Sequence, residues 1–344
     1  MNVSSEAIRA TMQRHVAAVA MTVLGVAALV GFGSGHAQNF PAKPLRILVP
    51  HPPGGPTDIV ARLFADKLSA QLGQAVIVES RAGGNGLVLM SAVAGMPADG
   101  YVMALATNTP LAVQPVVNQY VKSGDMTDYN KLMRPLAFLG DSPMALALNP
   151  NRGIRTIPQL VAIAKANPGK LNSGNGAGIG GGDHLGTELF NHAVGIQSSA
   201  VPYKGIAAVA LALASGEIDY AFTTVGAFIP LRNAGKLEII AVASDRRLDY
   251  LPDVPTVNEA VGLKDFRAAS WLGVWVRSNV DSKIVSALNA EFQKAGKMPD
   301  LRGKALSAAG FEIRVSTPEE LQKLVDEDLK KLGDLLKLGT VKLS

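Results

Sequence analysis

The sequence predicts an α/β protein made of two lobes with a ligand cleft between them. Residues 45–79 have the pattern of a strand, a helix and a second strand, which is a βαβ unit and implies a parallel sheet. Strands and helices alternate again over residues 157–243, which indicates a second α/β lobe. Two extended apolar stretches, residues 136–148 and 269–276, are interpreted as crossings between the lobes, and we expect Asp141-Ser142-Pro143 to break the first of them. Paired lobes of this kind can close on a small ligand.

The composition suits a well-packed protein of one or two domains. Of the 344 residues, 48% are hydrophobic and 18% are charged, and the formal net charge is +5. The charges are scattered, so the sequence offers no basic arm for nucleic acid. The absence of cysteine excludes a disulfide, a thiol nucleophile and a thiolate metal site.

Residues 1–37 have the pattern of a secretory signal peptide. A start that carries two arginines precedes the apolar residues 16–32, and Gly35-His36-Ala37 forms a small-residue cleavage site before Gln38. The apolar region is slightly long, so an uncleaved membrane anchor is the alternative. We therefore expect a periplasmic protein that begins at Gln38.

The first lobe is organised around the turn that follows the apolar residues 45–49. Three prolines end this strand, and Gly54 and Gly55 let the backbone turn. Thr57 is the expected cap of the next helix, and Asp58 lies in its first turn. A turn with few side chains before a helix leaves backbone N–H groups for an anion, although a plain strand–helix connection is the alternative. The turn lacks the glycine-lysine ending of a phosphate-binding P-loop.

The remainder of the first lobe supplies a polar cluster at a strand end. Residues 75–79 and 101–106 are predicted strands, and a helix that ends at Ala94 lies between them. Thr107 and Asn108 follow the second of these strands, where open α/β sheets place their ligands. Residues 112–134 show no pattern that assigns them.

The second lobe, like the first, contains a glycine-rich turn that leads into a helix. A helix over residues 157–167 precedes the glycine-rich residues 173–183, and a helix over residues 184–194 follows them. Glycine density alone is also compatible with a flexible linker. A linker would not normally precede an amphipathic helix inside a domain. The further elements expected from apolar periodicity and turn signals are helices 206–215 and 226–234 and strands 218–222 and 237–243.

The C-terminal part of the chain has clear helix starts. Asp281 is the expected cap of a helix over residues 281–295, and residues 311–315 are a predicted strand. Thr317, Pro318 and Glu320 have the pattern of a capping box with proline at the first helical position. A long C-terminal helix therefore begins there.

Eight short motifs in one order resemble the receptors of tripartite tricarboxylate transporters, the Bug family. The resemblance runs from about Phe40 to the C-terminal helix. The motifs are PPGGPTDIVARLFADKL after the first strand, ADGY at 98–101, TNT at 107–109, AKANPGKLN at 164–172, HLGTELF at 184–190, VPYKG at 201–205, LPDVPTVNEA at 251–260 and SW at 270–271.

This resemblance implies a type II periplasmic-binding-protein fold. Residues 38–141 and 271–344 would form one lobe and residues 142–270 the other. A small carboxylate would lie between them, held by backbone N–H groups and helix N-termini without an arginine clamp or a cofactor. It also implies membrane permease subunits as partners and, as we expect, a monomer. The implied ligand-binding residues are Pro53, Gly54, Gly55, Asp58, Thr107, Asn108, Gly178, Ile179, Gly180, Gly181, Tyr203 and Thr223.

Three departures from the family pattern concern the ligand. The loop before His184 is one residue longer than usual, and Gly181 stands where these receptors often carry a hydroxyl side chain. Thr223 and Thr224 stand where many members have an acidic residue. Because threonine carries no charge, we expect a ligand without an ammonium group: a dicarboxylate, a hydroxy acid or an aromatic carboxylate.

Two other functional classes remain open on sequence grounds. A hydrolase would use Asp183 and His184, but the chain has no GxSxG nucleophile motif, and a helix cap beside a structural histidine explains this pair. The histidines also lack the spacing of a zinc pair on one helix. A periplasmic sensor that signals to a membrane kinase would share the same fold and site.

Overall fold

The computed structural model describes residues 40–339 together with Val341 and Leu343. The predicted signal peptide and its cleavage site lie outside the described residues. Residues 43–344 form one compact unit, and the described part of residues 1–42 is Phe40–Ala42. No helix in the described part of the chain is long and apolar enough to cross a membrane.

The predicted α/β class is confirmed, because strands and helices alternate through most of the described chain. The strands are β1 (Leu45–Val49), β2 (Val76–Ser80), β3 (Val102–Thr107), β4 (Met133–Leu148), β5 (Asn172–Asn175), β6 (Ser199–Pro202), β7 (Tyr220–Thr224), β8 (Glu238–Val242), β9 (Ala269–Arg277) and β10 (Glu312–Ile313).

Twelve α-helices fall within the described residues. They are α1 (Pro56–Leu72), α2 (Leu87–Ala94), α3 (Gln114–Val121), α4 (Tyr129–Leu132), α5 (Ile157–Ala166), α6 (Gly182–Val194), α7 (Ile206–Ser215), α8 (Ile229–Asn233), α9 (Val257–Val261), α10 (Ser282–Gly296), α11 (Pro299–Ala309) and α12 (Pro318–Lys337).

All ten strands of the described chain belong to one sheet, in the order β2-β1-β3-β9-β4-β7-β5-β6, and β8 and β10 also pair with β4. The pairs β1–β2, β1–β3, β5–β6 and β5–β7 are parallel. The long strand β4 pairs with β9 along its first part and with β7 and β8 along its second part, all antiparallel. The parallel strands β1–β3 are thus joined to β4 through β9, whereas β5–β7 are joined to it through β7.

The carboxyl ends of both parallel sets lie at the middle of β4. Thr107 at the end of β3 is opposite Leu272 of β9, which in turn is opposite Gly140 of β4. Thr224 at the end of β7 is opposite Met144 of β4. Since ligands of open α/β sheets bind outside the carboxyl ends of the strands, this arrangement directs two such edges to one region.

The apolar core covers both faces of the sheet. Tyr220 and Phe222 of β7 pack with Phe190 of α6 on one face. Ala221 of the same strand packs with the buried apolar residues of α7 on the other face. The alternation follows from the two-residue period of a strand, which sends successive side chains to opposite faces. Helices therefore hold both faces of β7 and fix where its carboxyl end lies.

Strand β4 is continuous, whereas the sequence predicted a break at Asp141, Ser142 and Pro143. Its register shifts between Phe138 and Gly140, as in a β-bulge. At Gly140 a side chain would collide with the carbonyl oxygen of Glu312 in β10, and φ is +159°. The strand continues through Asp141, Ser142 and Pro143 because β9 and β10 pair with it there. The sequence of this segment alone does not reveal that pairing.

Two helical regions were not recognised in the sequence. Residues 112–134, which had no assignment, include a π-helical turn at Thr109–Val113, then α3 and α4. Helix α11 was also missed, and it buries only Leu301 and Ala305. Its apolar periodicity is too weak to stand out because most of its surface is exposed.

Three local expectations differ in detail. Thr57 is not a cap: Gly55 occupies the cap position of α1, and Thr57 lies inside the first turn. The strand expected over residues 311–315 is reduced to Glu312–Ile313. Asp281 and Thr317 cap α10 and α12 as predicted, accepting from the N–H groups of Lys283 and Glu320.

Candidate functional site

The turn after β1 is held together by Asp58. Its Oδ2 accepts from the N–H of Gly54 at 2.9 Å, and Arg62 donates to both carboxylate oxygens at 2.9 and 3.0 Å. Burial by itself would raise the pKa of Asp58, but the hydrogen bonds from Arg62 and Gly54 outweigh it and hold the pKa below its usual range. Asp58 is therefore an ionised group that shapes the turn.

The same contacts change which amides of this turn can meet a ligand. The N–H of Gly54 is bonded to Asp58, and the N–H of Gly55 lies 3.3 Å from the carbonyl oxygen of Pro52. Within the described residues, no acceptor engages the N–H groups of Thr57 and Asp58 at the start of α1. Of the residues predicted to bind at this turn, Asp58 therefore has a free N–H, to which the structure adds that of Thr57, while Pro53 has no N–H to offer.

His51 supports this turn from the strand side. Its Nδ1 lies 3.0 Å from Oγ1 of Thr57, and its carbonyl oxygen accepts from the hydroxyl of Ser80. The turn is thereby tied both to the end of β2 and to the first turn of α1.

The turn before α6 is organised by a second aspartate. The carboxylate of Asp183 accepts from the N–H groups of Gly176, Ala177 and His184, the last two at 3.1 Å. Burial raises the pKa of Asp183, although these backbone donors oppose that effect. An aspartate near a helix start thus holds a glycine-rich turn on each side of the cleft region.

His184 adds a second anchor to the same loop. Its Nδ1 accepts from the N–H of Gly180 at 3.1 Å, which places the ring proton on the other nitrogen. The side chain is 2% exposed, and burial lowers the pKa of His184. The residue is therefore neutral at pH 7 and acts as an acceptor for the loop.

Several amides of this loop remain open. Among the described residues, no acceptor engages the N–H groups of Gly178, Ile179 and Gly182, whereas Gly181 donates to the carbonyl oxygen of Gly178 at 3.1 Å. Gly178 and Gly180 have φ of +75° and +78°, a conformation that favours glycine. The side chain of Ile179 is 39% exposed beside them.

Gly181 has no space for a side chain. A Cβ there would lie 2.5 Å from Cβ of Ala177. A serine or threonine would therefore not fit this loop conformation, which gives the expected departure at Gly181 a steric reason.

The loop also contacts the segment that follows β3. A Cβ on Gly182 would lie 3.5 Å from Oγ1 of Thr109, and one on Gly180 would lie 3.3 Å from Val117. The start of α6 therefore lies against residues 109–117. Because β1 and β3 are adjacent, the Gly54–Gly55 turn and the start of α6 both lie near the carboxyl end of β3.

Asn108 is fixed by residues from remote parts of the chain. Its Nδ2 lies 3.1 Å from Oδ2 of Asp328 in α12 and 3.5 Å from the carbonyl oxygen of Ala269. The same Oδ2 accepts from Nε1 of Trp271 at 2.9 Å. The side chain of Thr107 accepts from the N–H of Thr109 at 3.4 Å. Asp328 and Trp271 were not predicted as site residues, and only the SW motif at 270–271 drew attention to this strand.

Tyr203 and Thr223, two of the predicted ligand-binding residues, have polar groups that are either bonded or buried. The hydroxyl of Tyr203 donates to Glu217 at 2.7 Å, and burial with this carboxylate raises the pKa of Tyr203 to about 12. Thr223 is 1% exposed, and its Oγ1 has no hydrogen-bond partner in the described chain. Thr224, which is half-buried, is the threonine nearer the surface at this strand end. The roles of Tyr203 and Thr223 in binding stay predictions.

A separate charged cavity lies beside the middle of β4. It has a volume of about 750 Å³, and its walls include Asp141 and Tyr250. Arg267 lies 3.8 Å from Asp141 and 3.2 Å from Asp245, and Arg246 lies 2.6 Å from Asp249. These side chains largely neutralise one another, so the cavity carries little net charge to attract an anion.

The arrangement of Asp183 and His184 does not form a catalytic pair. Nδ1 of His184 accepts from backbone, and the carboxylate of Asp183 is bonded to backbone N–H groups. Neither contacts a serine hydroxyl as a hydrolase mechanism requires. No group of three or more His, Asp or Glu side chains in the described residues could hold a metal ion.

Comparison with known sequences identifies a protein family and related proteins. Residues 60–340 match the family described as the tripartite tricarboxylate transporter family receptor. Protein BugT of Bordetella pertussis is 30% identical over 333 residues, covering 95% of this chain and 97% of that protein.

Solved structures agree with this match. An R. palustris protein with adipate is 29% identical with a TM-score of 0.75, covering 87% of this chain and 97% of that chain. MatC from Rhodopseudomonas palustris with bound malate is 26% identical with a TM-score of 0.72, covering 86% and 99%. These similarities confirm the type II periplasmic-binding-protein fold expected from the sequence.

Proposed function

Since the chain belongs to the tripartite tricarboxylate transporter receptor family, we propose that it captures a small carboxylate and delivers it to a membrane transporter of the tripartite tricarboxylate type. Members of this family are substrate-binding receptors, not enzymes. The binding event would take place in the periplasm, where receptors of this family act.

The observation that carries the proposal is the set of open amides at two helix starts. The N–H groups of Thr57 and Asp58 begin α1, and those of Gly178, Ile179 and Gly182 lead into α6. Each helix N-terminus carries a partial positive charge, so both turns favour an anion. A carboxylate between them would satisfy donors on both sides at once.

We further propose that residues 142–270 close as one lobe on residues 38–141 and 271–344. The middle of β4 and the start of β9 would serve as the hinge strands, because both parallel sets of strands end there. Closure would expel water and strengthen the hydrogen bonds to the ligand.

The other end of the ligand carries no positive charge in this proposal. Thr223 and Thr224 cannot neutralise an ammonium group. Asp58 and Asp183, the acidic residues at the two turns, already bind Arg62 and backbone N–H groups. Two solved relatives are described with adipate and with malate, which are dicarboxylates without an amino group.

Calorimetric titration would test this part of the proposal. Tight binding of glutamate or aspartate, with weak binding of the matching diacids that lack the amino group, would show that the charge argument is wrong.

A thermal-shift screen of the protein against small carboxylates would test the receptor function itself. A ligand at one hundred times its dissociation constant should raise the free energy of unfolding by about 2.7 kcal/mol. Unchanged ligand after long incubation is expected of a receptor. If no carboxylate raised the melting temperature while another solute class did, carboxylate capture would be refuted.

The sensor alternative shares the site and differs in the partner. Co-purification with permease subunits, or loss of carboxylate uptake when the gene is deleted, supports transport. Intact uptake with loss of a transcriptional response would support sensing instead.

A further inference from the structure

The side-chain amide of Asn108 has only one orientation that its surroundings permit. Two atoms face its Nδ2: Oδ2 of Asp328 at 3.1 Å and the carbonyl oxygen of Ala269 at 3.5 Å. A carbonyl oxygen is an acceptor only. Oδ2 of Asp328 is an acceptor as well, because the indole N–H of Trp271 donates to it at 2.9 Å. Reversing the amide would set its oxygen against two other oxygens.

It follows that Asn108 directs its oxygen away from α12. Asp328 belongs to α12, which packs against residues 109–113 and β4. Among the described residues, no donor engages Oδ1 of Asn108, and this atom is not among the buried atoms that lack a partner. Asn108 is half-buried, so its oxygen is a reachable acceptor.

This acceptor follows the carboxyl end of β3, near which both glycine-rich turns lie. Asn108 directly follows β3, whose neighbour β1 leads into the Gly54–Gly55 turn. The next residue, Thr109, lies against Gly182 at the start of α6. The surroundings of a bound carboxylate would therefore contain open N–H donors and one fixed oxygen acceptor.

We propose that Asn108 reads a hydroxyl group of the ligand, and that Asp328 is the positioning residue that presents the Asn108 oxygen to it. The ligand class is then a hydroxycarboxylate. This inference rests on the proposed receptor function and narrows it to one of the ligand classes considered above.

The chemistry of the site separates this class from the others. At neutral pH the oxygens of a bare dicarboxylate are all acceptors, so none can satisfy Oδ1 of Asn108. Expelling water from that oxygen without a replacement donor carries a free-energy penalty. An ammonium group of a ligand could donate to Oδ1 of Asn108, but its charge would also need a carboxylate nearby. Among the described residues that contact Asn108, the one carboxylate is that of Asp328, which already accepts from Trp271 and from Asn108.

Matched pairs of ligands test the inference by calorimetric titration of the whole protein. Malate against succinate, tartrate against succinate, and lactate against propionate each differ in hydroxyl groups alone. We expect the hydroxy member of at least one pair to bind about tenfold more tightly, as one additional hydrogen bond allows.

Three variants locate the effect. Asn108→Leu should reduce the ratio of the two dissociation constants to about one while binding of the bare diacid persists. Asp328→Leu should reduce it as well, because the freed amide can rotate. Asp328→Asn should retain it, since one amide oxygen can accept from both Trp271 and Asn108. Asn258→Leu is the matched control, because it removes an amide that is bonded to the backbone of Phe266.

The outcomes separate this inference from the receptor function. If bare diacids bind as tightly as their hydroxy partners, the reading of Asn108 is overturned and carboxylate capture stands. If aspartate binds more tightly than malate and Asn108→Leu removes the difference, the donor is an ammonium group and the hydroxycarboxylate class is wrong. A ratio that survives in Asn108→Leu also overturns the assignment. Binding of no carboxylate at all refutes both proposals.

Discussion

One aspartate in each glycine-rich turn, Asp58 or Asp183, fixes the backbone of that turn by hydrogen bonds. Asp58 fixes the amide of Gly54, and Asp183 fixes those of Gly176 and Ala177. A carboxylate that accepts backbone N–H groups near a helix start is favoured by the helix dipole. The aspartates take up these N–H groups, so the donors of the proposed site are the neighbouring amides of Thr57, Asp58, Gly178, Ile179 and Gly182.

Gly55→Val tests the closeness of the backbone to the ligand at the first turn. A Cβ at Gly55 would lie no nearer than 3.4 Å to other atoms, and the local backbone is extended, so the variant should fold. The added side chain should hold the ligand away from the start of α1. If each lost hydrogen bond costs about 1.5–3 kcal/mol, affinity should fall at least tenfold.

The control for this variant is Gly303→Val, since no atom lies near the position of a Cβ there. Calorimetry on both folded variants is the measurement. Unaltered affinity in Gly55→Val would place the first turn outside the site.

His184 should make the second turn sensitive to acid. Its pKa is lowered by burial, so the folded protein favours the neutral ring. The associated stability is fully present above the unfolded pKa of about 6.5 and is lost as pH falls below it, by up to about 1.4 kcal/mol per pH unit. A protonated Nδ1 can no longer accept from Gly180, so ligand affinity should fall over the same range.

Melting curves and titrations between pH 7.5 and 5 in the wild type and in His184→Asn measure this effect. Asparagine offers an oxygen acceptor near the position of Nδ1 but does not titrate. The exposed His192 gives the matched control, His192→Asn. Equal pH dependence in the wild type and His184→Asn would show that His184 is not the responsible group.

The helices of this protein differ in how their first N–H groups are satisfied. Side chains cap α5, α9, α10 and α12, through Thr156, Thr256, Asp281 and Thr317. The other eight helices of the described chain begin with no side-chain cap, and among them α1 and α6 begin after Gly55 and Gly181, beside the two glycine-rich turns. A helix whose first N–H groups lack a cap retains donors for a ligand.

Asp183→Asn and Asp281→Asn compare two helix starts. Each keeps an oxygen acceptor but removes the negative charge that a helix N-terminus favours, so each should lower the free energy of unfolding by at most about 1 kcal/mol. Only Asp183→Asn should also weaken ligand binding and speed hydrogen exchange of the amides in residues 176–184. Equal effects of the two variants on affinity would show that the hydrogen bonds by which Asp183 fixes the loop do not contribute to binding.

The whole molecule is organised by β4 and β9. The first part of β4 belongs with β9 and β3, and its second part belongs with β7 and β8. In the proposed closure, bending would take place near the middle of β4, where its partners change from β9 to β7 and β8. The glycine at position 140 and the shifts in register near it lie close to that point.

Small-angle X-ray scattering with and without a saturating carboxylate tests this arrangement. We expect the radius of gyration to decrease when the ligand binds, because residues 142–270 would rotate toward the rest of the protein. Gly55→Val at the same ligand concentration should show a smaller decrease. An unchanged radius with a ligand that clearly raises the melting temperature would exclude closure of the lobes.

The sequence by itself determined the α/β class, the helix starts at Asp281 and Thr317, and the two glycine-rich turns. These features depend on residues a few positions apart, through apolar periodicity, capping and the freedom of glycine. The family motifs are local in the same sense, which is why the order of the elements could be predicted along most of the chain.

Only the tertiary structure decided which polar atoms remain open to a ligand. Asp58 removes the amide of Gly54 from the set that sequence reasoning had chosen, and β4 continues through Pro143 because neighbouring strands pair with it. Asn108 and Asp328 are 220 residues apart, and their contact exists because α12 packs against the end of β3. Hydrogen-bond partners of this kind are set by packing between distant segments, for which no local pattern in the sequence carries a signal.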